Sequence, residues 1–132
     1  MAAELPKDVK YTKEHEWARH QGKTIVVGLT DHAQKQLGDV VYVELPQVGD
    51  TFEAGEPFGS VESVKAVSEV FAPVSGKIVK VNDSLVDSPE LVNEEPYVDG
   101  WLIEIEFSSA SQWDELLDSS AYAGLIREEA EG

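Results

Sequence analysis

Two dense runs of apolar and β-favouring residues, 16–20 and 24–29, flank Gln21-Gly22-Lys23, and this arrangement reads as a hairpin. Asp31 stands where a cap would open a short helix reaching Leu37, with Gln34 three residues on and Gly38 as the stop. Residues 40–45 follow as a β-branched strand closed by Pro46. From there Gly49, Gly55, Pro57, Gly59, Pro73 and Gly76 punctuate short apolar runs, the texture of a small all-β barrel or sandwich. Its strands are predicted at 57–62, 67–72 and 77–81, with 101–107 closing the sheet after an irregular loop over 82–100. Ser111, with Asp114 three residues later, resembles a capping box that opens a C-terminal helix. A second helix is predicted over 122–130, where Tyr122, Leu125 and Ile126 fall at i, i+3 and i+4 and present one apolar face.

Composition narrows the function more than the fold. At 132 residues and 42% apolar content the chain, 1–132, fits one domain with one core. A formal net charge of −16 repels phosphate backbones and anionic lipid surfaces, which argues against nucleic acid and membrane partners and favours docking on basic protein surfaces. With no cysteine, thiolate zinc sites and cysteine nucleophiles are excluded, and any sulfur chemistry must come from a cofactor. His15, His20 and His32 show neither metal-ligand spacing nor a partner set for nucleophilic catalysis. No metal site is expected, and His15 and His32 read as structural. No apolar run approaches membrane-span length, and residues 1–10 show neither a signal-peptide core nor an Arg-rich transit pattern. A bacterial cytoplasmic protein fits, as does a processed form from the mitochondrial matrix.

The informative stretch is 59–70, an apolar alternation that breaks at Lys65 and resumes. Ser63 to Ala66 form the turn, and a lysine there points its amine into solvent at a hairpin tip. Exposed turn lysines are ordinary; the surroundings are not. Gly49 lies sixteen residues before Lys65 and Gly76 eleven after it, each where a sharp reversal between strands is needed, so the lysine is held between two flanking turns.

The run Glu62-Ser63-Val64-Lys65-Ala66, followed by Ser68, Pro73, Gly76, Val79 and Asn82, resembles the lipoyl-attachment segment of glycine cleavage H proteins. The likeness extends through Tyr11, His15-Glu16-Trp17, Gly28 to Gln34, Leu37 to Val41, Val43 to Pro46, Asn93, Pro96-Tyr97 and Gly100-Trp101, nearly the whole chain. It implies a mainly β fold, a barrel-sandwich hybrid of the lipoyl- and biotinyl-domain type, with a short helix after the N-terminal hairpin and helices at the C-terminus. It also implies lipoic acid joined by an amide bond to the ε-nitrogen of Lys65, giving an arm of roughly 14 Å from about ten single bonds. The chain would then be a monomeric, non-catalytic carrier. It would take an aminomethyl group from a pyridoxal-phosphate glycine decarboxylase (P protein) to an aminomethyltransferase (T protein), and reducing equivalents to a dihydrolipoyl dehydrogenase (L protein). A lipoate ligase or lipoyl transferase would attach the cofactor.

In this family the loaded arm rests in a surface cleft, where a carboxylate can hold its cationic amine through a charge-assisted hydrogen bond. Glu16 is the first candidate, within the matching His15-Glu16-Trp17 run, and Glu69, four residues past Lys65, is the second. Three other functions compete. Biotin carriers resemble Met-Lys-Met at the tip and free lipoyl domains of 2-oxo acid dehydrogenases Asp-Lys-Ala, whereas Lys65 lies between Val64 and Ala66. A lipoyl donor or relay for other carriers could share the attachment segment unchanged. A two-carboxylate hydrolase using Glu44 and Glu62 lacks any helper constellation.

Overall fold

The computed structural model describes residues 8–131. Nine strands and five helices follow one another as β1 (Lys10–Tyr11), β2 (Glu16–Gln21), β3 (Thr24–Leu29), α1 (Asp31–Leu37), β4 (Val40–Glu44), β5 (Thr51–Phe52), β6 (Pro57–Ser63), β7 (Val67–Phe71), β8 (Gly76–Val81), α2 (Ser84–Asp87), α3 (Leu91–Glu94), β9 (Ile103–Phe107), α4 (Ala110–Asp114) and α5 (Ser119–Glu131). The strands form a six-stranded sheet in the order β1-β2-β3-β9-β8-β5 and a three-stranded sheet β4-β6-β7. The mainly β expectation holds as a two-sheet, sandwich-like arrangement without a closed barrel. Among the described residues, no helix is long and apolar enough to cross a membrane.

Strict alternation explains the main core. In β9, Ile103 and Ile105 are buried while the alternating Glu104 and Glu106 are not, as a period of two requires for a sheet with one face on a core. Ile25, Val27, Ile78, Ile103 and Ile105 from the larger sheet meet Val43, Phe58, Val61 and Val70 from the smaller. Strand β3 departs from the alternation because both its faces are covered: Val26 joins a second cluster with Val9, Tyr11, Trp17 and Tyr122 beneath α5. Tyr122 stacks on Tyr11 with ring centroids 4.5 Å apart, and Leu125 and Ile126 pack beside them, so the predicted apolar face of the last helix is the one buried.

Several local expectations are corrected. Asp31 is not the cap of α1: Thr30 is extended at φ −73° and ψ 164°, and its hydroxyl accepts from the Ala33 N–H. Asp31 occupies the first turn, where Gln34 and Lys35 reach its carboxylate. Helix α4 begins before Ser111, with Ser109 at its cap position, and Ser111 bonds the Ser109 hydroxyl instead of a backbone amide. The stretch 82–100 is not irregular throughout, since α2 and α3 lie within it. Other boundaries agree to within three residues, and the two-residue strands β1 and β5 add to the predicted set.

Candidate functional site

Strands β6 and β7 pair from Pro57↔Phe71 to Glu62↔Val67, and Lys65 sits in the reversal between them. Their alternation brings the chain to a tip whose amides have no strand partner. Ser63 supplies one: its hydroxyl accepts from the N–H groups of Lys65 and Ala66 at 3.2 and 3.1 Å, while its own N–H donates to the Ala66 carbonyl at 2.8 Å. The tip is pinned to the rest of the protein at Val64, whose N–H donates to the Asp39 carbonyl at 3.1 Å. Asn93 of α3 fixes that receiving segment. Its Nδ2 donates to the Gly38 carbonyl at 2.8 Å and to Gln34 Oε1 at 3.0 Å, and its Oδ1 accepts from the Val40 N–H at 2.9 Å.

The aliphatic stem of Lys65 crosses Gly38. A methyl group there would meet Lys65 Cε at 2.9 Å, and the φ of 77° at Gly38 disfavours any side chain as well. Among the described residues the Lys65 ammonium makes no ion pair and no hydrogen bond, whereas Lys35 pairs with Asp31 at 2.9 Å and Lys10 reaches the Trp113 carbonyl. An exposed amine on a rigid tip fits a group joined through Nζ, because acylation breaks no existing contact. Val64 and Val67 flank it with 69% and 64% of their surfaces exposed, an apolar collar that a modifying or docking enzyme can cover.

Beside the tip lies a cleft of about 380 Å³. Ala66, Val67, Ser68 and Glu69 form one wall, Gln36 and Leu37 of α1 another, and Glu14 and His15 its end. Glu69 is exposed and lines this cleft. A larger cleft of about 760 Å³, beside Gly22, Phe52 and Phe107 at the turn end of the β2–β3 hairpin, holds neither Lys65 nor either carboxylate candidate.

Glu16 lies elsewhere in depth. It is only 1% exposed; its Oε1 accepts from the Thr12 hydroxyl at 2.6 Å and its Oε2 from the Phe71 N–H at 3.0 Å. The second bond satisfies an amide of the edge strand β7 and ties the two sheets together. Burial pushes the Glu16 carboxyl up to about 7, against those two hydrogen bonds, which pull it down. Glu16 pairs across the sheet with Leu29, a residue of the cleft lining, so its carboxyl lies beneath the cleft and not on its surface.

Residues 9–129 match the family model described as glycine cleavage H-protein. The chain belongs to the glycine cleavage H-protein family. Glycine cleavage system H proteins of Anaeromyxobacter sp. (strain K) and Myxococcus xanthus (strain DK1622) are 59% and 58% identical to it, each alignment covering 96% of this chain and 98% of the relative. The crystal structure of a glycine cleavage system H protein from Mycobacterium marinum superposes with a TM-score of 0.86 at 43% identity, covering 93% of this chain and 99% of that one. Membership makes the chain a component of a glycine cleavage system. Sequence reasoning named Ser63, Gly38, Asp39 and Asn93 as turn, helix-stop or likeness residues of this family member, but missed that they hold the lysine. Ser63 had a local signal, a hydroxyl two residues before the lysine in a turn. Asn93 had only the family likeness and no local signal, because its partners lie more than fifty residues away.

Proposed function

We propose that this chain is the lipoyl carrier of a glycine cleavage system, with lipoic acid in amide linkage to Lys65 Nζ. It carries an aminomethyl group from the pyridoxal-phosphate decarboxylase to the aminomethyltransferase, and electrons to the dihydrolipoyl dehydrogenase. The observation that carries this reading is the exposed Lys65 amine at the reversal between β6 and β7, on a tip pinned by Ser63 and Asp39. Lipoic acid, when bound, supplies the disulfide chemistry that a cysteine-free chain lacks.

The chain's own residues do the rest. Ser63, Asp39 and Asn93 hold the attachment point, and Gly38 gives the lysine stem a surface to lie on. The neighbouring cleft shields the end of the arm from water. Glu69 and Glu14 on its surface offer carboxylates to a cationic amine, and Glu16 adds a buried, titratable charge from beneath. Glu69 therefore becomes the first candidate for direct contact, and Glu16 acts from behind the cleft floor.

Incubation with a lipoate ligase followed by peptide mapping tests the assignment. Lipoyl mass is expected on Lys65 alone, and a group on Lys77 or Lys80 would refute it. Lys65→Arg should fold normally, since the side chain is exposed, and should fail to restore glycine-dependent carbon dioxide release with the P, T and L proteins.

A further inference from the structure

His15, His32 and Glu129 are scattered along the chain but converge in space from the turn before β2, from α1 and from α5, with one donor atom of each within 4.8 Å of the others. We propose that they form a binding site for a divalent transition-metal ion of the zinc class, with the C-terminal helix clamped to the N-terminal hairpin through the ion.

The geometry is close to a coordination sphere. Glu129 Oε1 lies 3.0 Å from His15 Nε2 and 3.7 Å from His32 Nε2, and the two imidazole rings are 4.6 Å apart. Metal–ligand bonds of about 2.0–2.2 Å in a tetrahedron separate donor atoms by roughly 3.3–3.6 Å, a range that the two measured spacings bracket. An inward movement of the His32 ring, whose donor atom lies within 4.8 Å of the other two, completes the set and leaves a fourth position open to water.

Two features point to a ligand beyond the three side chains. His32 Nε2 is inaccessible to solvent and, among the described residues, has no hydrogen-bond partner, a condition that buried polar atoms rarely tolerate. A purely hydrogen-bonded network, with His15 Nε2–H donating to Glu129, serves His15 and still leaves this nitrogen unmet. His15, moreover, is held at φ 69°, the only positive φ on a non-glycine residue among those described. Such strain persists where the surroundings hold a side chain in a required place.

The outer shell suits a metal ligand. His15 Nδ1 is bonded to the Tyr122 hydroxyl at 2.7 Å, and that hydroxyl to Thr30 Oγ1 at 2.7 Å, which fixes the ring and turns Nε2 toward Glu129. Two imidazoles and one carboxylate select zinc, nickel, cobalt or copper over magnesium or calcium, which prefer all-oxygen sites. A net charge of −16 raises the local concentration of any divalent cation, so competition with magnesium is part of the test.

Calorimetric titration of the full chain with zinc chloride in excess magnesium, with any lipoyl arm kept oxidised so that it offers no thiolate, decides the matter. One zinc per chain and a raised thermal midpoint are expected. His32→Gln and Glu129→Gln should each weaken binding at least about tenfold and abolish the thermal shift. His20→Gln, whose ring packs between Phe107 and Trp113, should change neither. Because Glu129 is partly exposed, its glutamine variant reports on the site even if His32→Gln loses stability. Zinc affinity unchanged in both ligand variants, or no binding that survives magnesium, would overturn the proposal.

Discussion

Glu16→Gln isolates the buried carboxyl beneath the cleft. The glutamine keeps the shape of the side chain, can still accept from the Phe71 N–H, and cannot ionise. The wild-type carboxyl titrates at about 7 in the folded chain, against 4.5 when unperturbed. Between those two values the unfolded chain has released its proton and the folded chain has not, so raising the pH favours unfolding. The stabilising contribution of this group is therefore fully present below pH 4.5 and lost as the pH climbs through about 7. At about 1.4 kcal/mol per pH unit, the span corresponds to about 3 kcal/mol of pH-dependent stability. The other carboxylates titrate alike in parent and variant and cancel in the difference. Urea unfolding followed by the fluorescence of the fully buried Trp17 gives both stabilities at pH 5 and pH 8. Relative to the parent, the glutamine variant should gain about 2–3 kcal/mol on going from the lower to the higher pH. A constant difference would mean that Glu16 ionises as an ordinary carboxylate, and the account of its burial would fail.

Glu69→Gln should leave lipoylation of Lys65 intact but speed loss of the aminomethyl group from the loaded protein by roughly tenfold, as the removal of about 1.4 kcal/mol of charged hydrogen bonding predicts. Release of ammonia and formaldehyde measures it, and the same assay on Glu16→Gln separates direct contact from a charge acting at one remove. Gly49→Ala and Gly76→Ala should each cost on the order of 1 kcal/mol or more and slow lipoylation before global unfolding, as followed by intact mass. The causes differ: Gly49 has φ 100° with open space around it, whereas a methyl at Gly76 would run into the Glu106 backbone of β9.

What was legible in the sequence was local. The alternation on either side of Lys65 and the reversal at Gln21-Gly22-Lys23 need only neighbouring residues to be read, and β6, β7 and the β2–β3 hairpin appear where expected, with the turn itself narrowed to Gly22-Lys23. Thr30 and Asp31 are both competent caps. Which one serves depends on where the chain leaves its extended conformation, a choice the pattern of side chains does not encode. Helices of four residues such as α2 and α3 span barely more than one 3.6-residue period, too few repeats to be seen. Glu16 is legible as a cleft candidate but not as a buried group, because its burial depends on β7 arriving fifty-five residues later to offer the Phe71 amide. The His15, His32 and Glu129 cluster is hidden for the same reason, since its members have no common spacing.

The same long-range contacts tie the attachment point to the resting cleft. Val64 hangs from the Asp39 carbonyl just past the end of α1, and the Lys65 stem lies on Gly38, the residue that stops that helix. Gln36 and Leu37, in the last turn of α1, line the cleft. One short helix thus sets both where the arm begins and where it rests, so a movement of α1 displaces the two together and preserves their separation. Asn93 binds both Gln34 inside the helix and the backbone at Gly38 and Val40 just beyond it, so this shared frame is itself held by α3. A swinging arm needs such an arrangement: its own single bonds supply reach, and the more freely they rotate, the more its return to one cleft depends on an anchor that does not.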